Sequence, residues 1–530
     1  VKNLYTSTPS LKVLIASGTL ATALVLSACT SLQQATPDTS ASTVATAADR
    51  THGAKWQKKE FSSFYGQKID WGKCTAQDAG LGAEDEEALK QAGVDFANFE
   101  CATVKAPLNW ANPDDDRSIE LAISRTKPAG DSQDSVPLFT NPGGPGIAGI
   151  QHTMLMGSDP SFEKVLSNHE LWGFDPRGIG NSTPVHCDSS STVAAVQLAE
   201  CASSQPIAQF MGTSQVARDM ELLRVLAGDK QLDYVGYSYG TMLGATYATL
   251  FPDHAGRMVL DSAENAGWGM LTHNFDQAVA ISKAVGDLAN RCGELTTSDG
   301  SAVECPFTSE KEMLKLKKRL TEKPLKAPNG KSIDGEGLRS YLTSALYVPQ
   351  QMQGDQLDLL GRALKGDEEA LNELAVVVEE GNVEIDAAGQ LTVCPSTPKT
   401  PDLEGLIKHM KEVDVPEFVG GPEITDEVLA EYTEFDCAVL PSTGTDILDS
   451  FNAEGVKTPL MVIGITGDHA TPFQHAQELA KQLGQARLVT LEGSGHGASF
   501  SGRSTCIDQV ATDYLVNGTL PEEGKVCQAG

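Results

Sequence analysis

The sequence is short of three things, and each shortage removes a class of function. Positive charge is scarce: 40 Lys and Arg stand against 71 Asp and Glu in 530 residues, a formal net charge of −31. A nucleic-acid binder carries a basic footprint, so this balance excludes nucleic acid as a partner. Paired C-x2-C spacings with histidines nearby are absent, which removes the common structural zinc motifs, and no cofactor or metal is expected. Long apolar runs are lacking too: "VLIASGTLATALVL" at residues 13–26 falls short of the about 20 residues that cross a bilayer as a helix. No internal repeat appears at the usual solenoid periods.

What is present begins with that short run. Lys2 and Lys12 precede it and Ser27, Ala28 and Cys29 follow, the layout of a secretory signal peptide. The ending "LSAC" resembles the lipobox of bacterial lipoproteins, which implies cleavage before Cys29, lipid on its sulfur and an extracytoplasmic place, membrane-anchored or secreted. Residues 1–28 are thus expected to be the signal peptide. Residues 29–55, rich in Ser, Thr and Ala without apolar periodicity, read as a flexible tether, or as a disordered tail with no anchoring role. Ten further cysteines remain, an even number that favours disulfides in an exported chain. Neighbours in chain order close short loops, so the expected pairs are Cys74–Cys101, Cys187–Cys201, Cys292–Cys305, Cys394–Cys437 and Cys506–Cys527.

From about residue 56 the pattern alternates between strand and helix. "TSQVARDMELLRVLAG" places Val216, Met220, Leu223 and Leu226 at helical spacing, with Thr213 or Ser214 as the N-cap and Gly228 as the stop. A strand is expected at 232–237, a helix from Ser238 to just before Pro252, and another strand in "GRMVLDS". Such alternation argues for a parallel sheet. Between residues 263 and 440 helical segments separated by polar loops replace it, and it resumes with "TPLMVIGITGD", "PFQHAQELAKQLG" and "ARLVTLEGSGHG". The domains expected are therefore a core over 56–262, a helical cap insertion over 263–440 and the rest of the core over 441–530.

The chemistry sits where strands end. "DYVGYSYGTMLG" puts Ser238 between Gly236 and Gly240 at a strand-to-helix turn, the layout of a nucleophile elbow. A serine hydroxyl needs a base to take its proton and a third group to orient that base. Asp468 in "GITGDHATP" and His496 in "LEGSGHGASF" each follow an apolar strand, and the order Ser238, Asp468, His496 is the order this fold uses. His469 and His475, in or before a helix, and His52, in the tether, are poorer candidates for the base. Upstream, "SVPLFTNPGGPGIAG" offers unhindered amides, so Gly144 and Tyr239 are expected to supply the oxyanion hole.

Taken together, "NPGGPG", "FDPRGIGNS", "GYSYGT", "GDHATP", "GSGHG" and "GTLPEEGKVC" resemble the exported tripeptidyl-aminopeptidase-like serine peptidases of actinobacteria, relatives of the prolyl aminopeptidases. The resemblance runs over about residues 56–527 and is weakest in the insertion. It implies an α/β-hydrolase fold, with a mostly parallel sheet flanked by helices and a helical cap over the site. It also implies an enzyme that removes short peptides, tripeptides first among them, from the free N-termini of peptides or proteins. Ser238, Asp468 and His496 then carry the roles of nucleophile, acid and base. Asp175 and Arg177 in "FDPRGIGNS" fall beside the site, either as a pair that fixes the loop or as a substrate contact. The sequence departs from the family pattern at Asn265, where a second acid is usual, and at Leu440, where a tryptophan is common. Glu264 reads as a surface residue. Since neither fold nor triad selects the acyl group, an esterase or lipase-like hydrolase remains open, as does a non-catalytic binding lipoprotein.

Overall fold

The computed structural model describes residues 46–127, 135–191, 193–348, 350–380, 387–433 and 435–529. The signal-peptide reading and Cys29 lie outside them. In chain order the strands are β1 (Gly72–Lys73), β2 (Phe99–Pro107), β3 (Ser118–Thr126), β4 (Val136–Asn141), β5 (His169–Phe174), β6 (Leu232–Tyr237) and β7 (Ala255–Asp261). Then come the short β8 (Leu325–Lys326) and β9 (Ser332–Ile333), followed by β10 (Leu460–Gly467), β11 (Ala486–Ser494) and β12 (Val526–Gln528). Apart from the β8–β9 pair, they form one ten-stranded sheet in the order β1-β2-β3-β5-β4-β6-β7-β10-β11-β12. From β5 to β12 every neighbouring pair is parallel, whereas β1, β2 and β3 join antiparallel.

Parallel strands covered on both faces read as nearly unbroken apolar runs, which is how "LMVIGITG" and "LDYVGY" are written. Because side chains alternate along a strand, the run divides between two layers. Tyr234, Leu260 and Val462 belong to the core shared with helices Thr213–Leu226 and Tyr239–Leu250. Val235, Val259 and Ile463 belong to the opposite layer, with Ile507, Ala511 and Tyr514 of helix Thr505–Asn517. The register pairs Asn141 with Gly236, Tyr237 with Asp261, and Asp261 with Ile463. The chain therefore leaves β4, β6, β7 and β10 at one edge of the sheet, the edge where open α/β sheets bind ligands.

Between β7 and β10 the chain is mainly helical. Its helices, beginning with Leu271–Asn290, bury their own core of Phe275, Leu316, Leu338, Leu357, Leu374, Leu406 and Met410 among others. Five disulfides link Cys74 to Cys101, Cys187 to Cys201, Cys292 to Cys305, Cys394 to Cys437 and Cys506 to Cys527.

Three local expectations are corrected. The described end of the tether is not loose: Arg218, fully buried, donates to the carbonyls of Ala47, Asp49 and His52, and the His52 and Trp56 rings stack at 3.9 Å. A buried guanidinium needs acceptors, and this segment supplies them. Helix Thr213–Leu226 takes no cap from Thr213 or Ser214. Instead the Asp446 carboxylate accepts the amides of both at 2.9 Å. Finally, Asp175 and Arg177 do not pair with each other. Asp175 accepts the amides of Ile150 and Asn181, at 3.1 and 2.9 Å, and burial raises its pKa to about 6. Arg177 grips Asp219 with two bonds of 2.7 and 2.6 Å and donates to the Leu108 carbonyl at 2.7 Å. Both partners of that ion pair are at most 1% exposed.

Removing one partner of such a pair strands the other charge in the interior. Arg177→Ala is expected to lower stability by about 3–5 kcal/mol, read from urea unfolding monitored by tryptophan fluorescence; a loss within about 0.5 kcal/mol, the usual range of a surface change, would show that the pair does not hold this loop.

Candidate active site

Ser238 stands between the end of β6 and helix Tyr239–Leu250, with φ 55° and ψ −124°. A non-glycine residue held there costs about 1–3 kcal/mol and persists only where its surroundings impose it. The imposition is visible. The Ser238 amide donates to the Asp261 carbonyl at 2.9 Å, and its own carbonyl accepts the amide and hydroxyl of Thr241 at 2.8 and 2.7 Å. At Gly236 a β-carbon would lie 2.5 Å from the Gly240 carbonyl, so a side chain there would force the turn open. The Ser238 side chain is thereby presented, half-buried, at the ligand-binding edge.

His496 follows β11 and Asp468 follows β10. His496 Nδ1 lies 2.9 and 3.1 Å from the two oxygens of Asp468, whose Oδ1 also accepts the amides of Ala470 and Thr471. Burial opposes ionisation of Asp468, yet the His496 charge and hydrogen bond outweigh it and hold the carboxyl at about 2. Burial likewise opposes a charge on His496, and Asp468 again wins, raising the imidazole above its ordinary 6.5. With its proton on Nδ1, the ring keeps Nε2 as a base. His469 lies beside it, ring centroids 6.0 Å apart, but burial lowers its pKa to about 3 and leaves it neutral. From the insertion, Tyr347 sets its ring edgewise against His469 and His496 at 4.5 and 5.8 Å.

One residue fastens the histidine loop to the elbow. The Asp261 carboxylate, fully buried at the end of β7, accepts the amides of Ala498 at 3.0 Å and Ser499 at 2.6 Å, while its carbonyl holds the Ser238 amide. Gly497 donates to the Ser262 hydroxyl at 2.8 Å and Tyr237 to the Ser499 carbonyl at 3.2 Å. The loop carrying His496 is thus bonded to Tyr237, next to Ser238 in the chain, and to Asp261 and Ser262 at the end of β7. Sequence reasoning passed over Asp261; its one signal was an acid closing the apolar "MVLDS".

The loop after β4 approaches from the other side. The Gly143 amide donates to the Asn141 side chain at 3.0 Å, and a β-carbon on Gly143 would sit 2.9 Å from that of Ser238. The next amide, that of Gly144, and that of Tyr239 in the first turn of its helix have no acceptor among the described residues. First-turn helix amides lack internal partners and suit an anion. Such a pair beside a strained serine can stabilise a negative oxygen formed there.

Glu264 corrects the expectation of a surface position: it is 4% exposed, between His273 and His475. Among the described residues these three form a group that could hold a cation. Asn265 donates to Glu478 at 2.7 Å, and Leu440 is buried in the core beneath the insertion.

A family described as TAP-like protein matches residues 424–527. The chain is 27% identical over 464 residues to the serine protease Hip1 of Mycobacterium tuberculosis, covering 81% of this chain and 87% of that one. It is 26% identical over 477 residues to a tripeptidyl aminopeptidase of Streptomyces coelicolor, covering 81% and 83%. To carboxylesterase B of Mycobacterium tuberculosis it is 28% identical over 464 residues, covering 81% and 86%. With this sheet order, an acid and a histidine joined at the ligand-binding edge and relatives of this kind along four-fifths of its length, the chain is a serine hydrolase of the α/β-hydrolase fold, similar to the tripeptidyl aminopeptidases and carrying a TAP-like carboxyl-terminal segment.

Proposed function

We propose that the protein is an extracytoplasmic serine exopeptidase that releases short peptides, tripeptides first among them, from free N-termini through an acyl-enzyme on Ser238. The observation that carries the reading is the His496–Asp468 pair, bonded at 2.9 Å on a loop fastened to the strained Ser238 turn. As Ser238 Oγ attacks the scissile carbonyl carbon, His496 Nε2 takes its proton, and the carbonyl oxygen becomes an anion facing the amides of Gly144 and Tyr239. His496 then gives that proton to the departing amine, and a water deprotonated by the same ring cleaves the ester. Asp468 fixes the tautomer and stabilises the imidazolium. The names of the serine protease and tripeptidyl aminopeptidase relatives support peptide bonds as the target. The insertion, which brings Tyr347 over His496, supports a covered site that admits chain ends. Lipid attachment at Cys29 and export rest on the amino-terminal motif.

The carboxylesterase relative favours a second reading, ester hydrolysis with the same residues. A panel of tripeptide anilides, their N-acetylated forms and short acyl esters separates the two. Turnover of the free tripeptides and its loss on acetylation is the expected outcome; turnover of the esters alone would replace the peptidase reading. Ser238→Ala is expected to lower kcat about a million-fold and to abolish labelling by a fluorophosphonate.

The pH profile follows from the raised pKa of His496. The base must be neutral, so kcat/KM is expected to fall as the medium is acidified through a value above the ordinary 6.5. Asp468→Asn removes the charge that raises it. That variant is expected to lose about 10⁴-fold in kcat and to move the acid limb to lower pH; an unmoved limb would assign it to another group.

A further inference from the structure

Away from the bond-breaking residues, the most unusual grouping of side chains joins the insertion to the core. Glu264 lies in the loop after β7, His273 in the first insertion helix (Leu271–Asn290) and His475 in helix Phe473–Leu483 after β10. Their exposures are 4%, 8% and 7%. His273 Nε2 is hydrogen-bonded to Glu264 Oε1 at 3.2 Å, and His475 Nδ1 lies 3.1 Å from Glu264 Oε2. Glu264 Oε2 and His475 Nδ1 nevertheless face each other outside hydrogen-bonding geometry, so each is a buried polar atom with no hydrogen-bond partner. An unsatisfied buried polar atom is costly, and two that face each other call for a common partner.

The two imidazoles also stack, centroids 4.2 Å apart and planes 22° from parallel. A divalent cation would be such a common partner, since it takes imidazole nitrogens and a carboxylate oxygen together. The spacing suits it. Around a four-coordinate zinc with bonds of about 2.0–2.1 Å, neighbouring donor atoms stand about 3.3 Å apart; the two separations to the carboxylate are 3.1 and 3.2 Å, and all three donors lie within 4.8 Å of one another.

We propose that Glu264, His273 and His475 form a binding site for zinc or a similar borderline divalent cation, which ties the first insertion helix to the core beside the active site. Two nitrogens and one carboxylate oxygen are a ligand set zinc accepts. The residues are scattered along the chain, so no motif announces them. The proposal goes beyond the peptidase reading and does not depend on it, since its measure is bound metal.

The full mature chain, free of any polyhistidine tag, is stripped with a chelator, dialysed against zinc chloride, passed through gel filtration and assayed for metal by mass spectrometry. About one zinc per wild-type chain is expected, with at least a tenfold loss of bound metal in Glu264→Gln and in His273→Ala. Cobalt in place of zinc should give the strong visible absorption of a four-coordinate site in the wild type, and lose it in the variants. A wild-type chain that retains no metal, or variants that retain as much as the wild type, would overturn the proposal. Should the variants fail to fold, anomalous diffraction at the zinc edge from wild-type crystals decides: a peak among the three side chains supports the site, and its absence overturns it.

Discussion

The arrangement depends first on the Asp261 carboxyl group and the carbonyl beside it. Through its carbonyl Asp261 holds the amide of Ser238, and through its carboxylate the amides of Ala498 and Ser499, just after His496. A hydroxyl and an imidazole cooperate only within a few tenths of an ångström of the right separation. Here the Ser238 turn and a loop whose amides lie 237 and 238 residues beyond Asp261 are referred to one rigid strand end, which limits their relative drift. The cost is a carboxyl group wholly out of water: burial raises its pKa, and the Ser499 hydroxyl and the loop amides offset part of that rise. Fully donated hydrogen bonds make such a group tolerable in the interior.

The elbow was legible in the sequence because its determinants are local. Two glycines within two residues of Ser238, an apolar strand before it and a helix after it are enough to write the turn, and the strand-end places of Asp468 and His496 follow from the same alternation. What escaped was everything set by long-range packing. Asp446 caps helix Thr213–Leu226 from 232 residues away, so no reading of "GTSQ" could find it. Glu264 looks like any exposed acid until His273 and His475 close on it. Arg218 sits on a helix buried from Thr213 to Arg224, and its acceptors come from residues 47–57, more than 160 positions earlier in the chain. Hydrophobic periodicity reports which face is covered; it does not report which polar groups meet underneath.

Arg177 shows why a motif can be read correctly in place and wrongly in role. "FDPRGIGNS" does lie at the ligand-binding edge, after β5, but both of its charges turn inward. Asp175 folds its own loop by accepting Ile150 and Asn181, and Arg177 joins Asp219 to the chain after β2. Buried pairs of this sort contribute little net stability over apolar substitutes, yet they are strongly destabilising when halved. Their effect is to fix one loop conformation at the end of β5.

Chemistry and selection rest on different supports. The Ser238 turn, Asp468, His496 and the Gly144 and Tyr239 amides all hang from β4, β6, β10 and β11, and on the proposed mechanism that set does not itself choose among acyl groups. Discrimination must come from what limits access to that edge. Most of the insertion's helices bury a core of their own, while Leu391, Cys394, Cys437 and Leu440 join one layer of the sheet. It reaches the site through Tyr347, edgewise on His496, and through His273, stacked on His475 of the core. A side chain moved in the insertion can therefore alter which substrates enter without disturbing the hydrogen bonds around Asp261. A change in the sheet edge cannot spare them. The two tasks are separable only where the insertion packs in its own core, since Leu391, Cys394, Cys437 and Leu440 are buried in the core of the sheet and Gln277 donates to the Ala470 carbonyl at 2.6 Å.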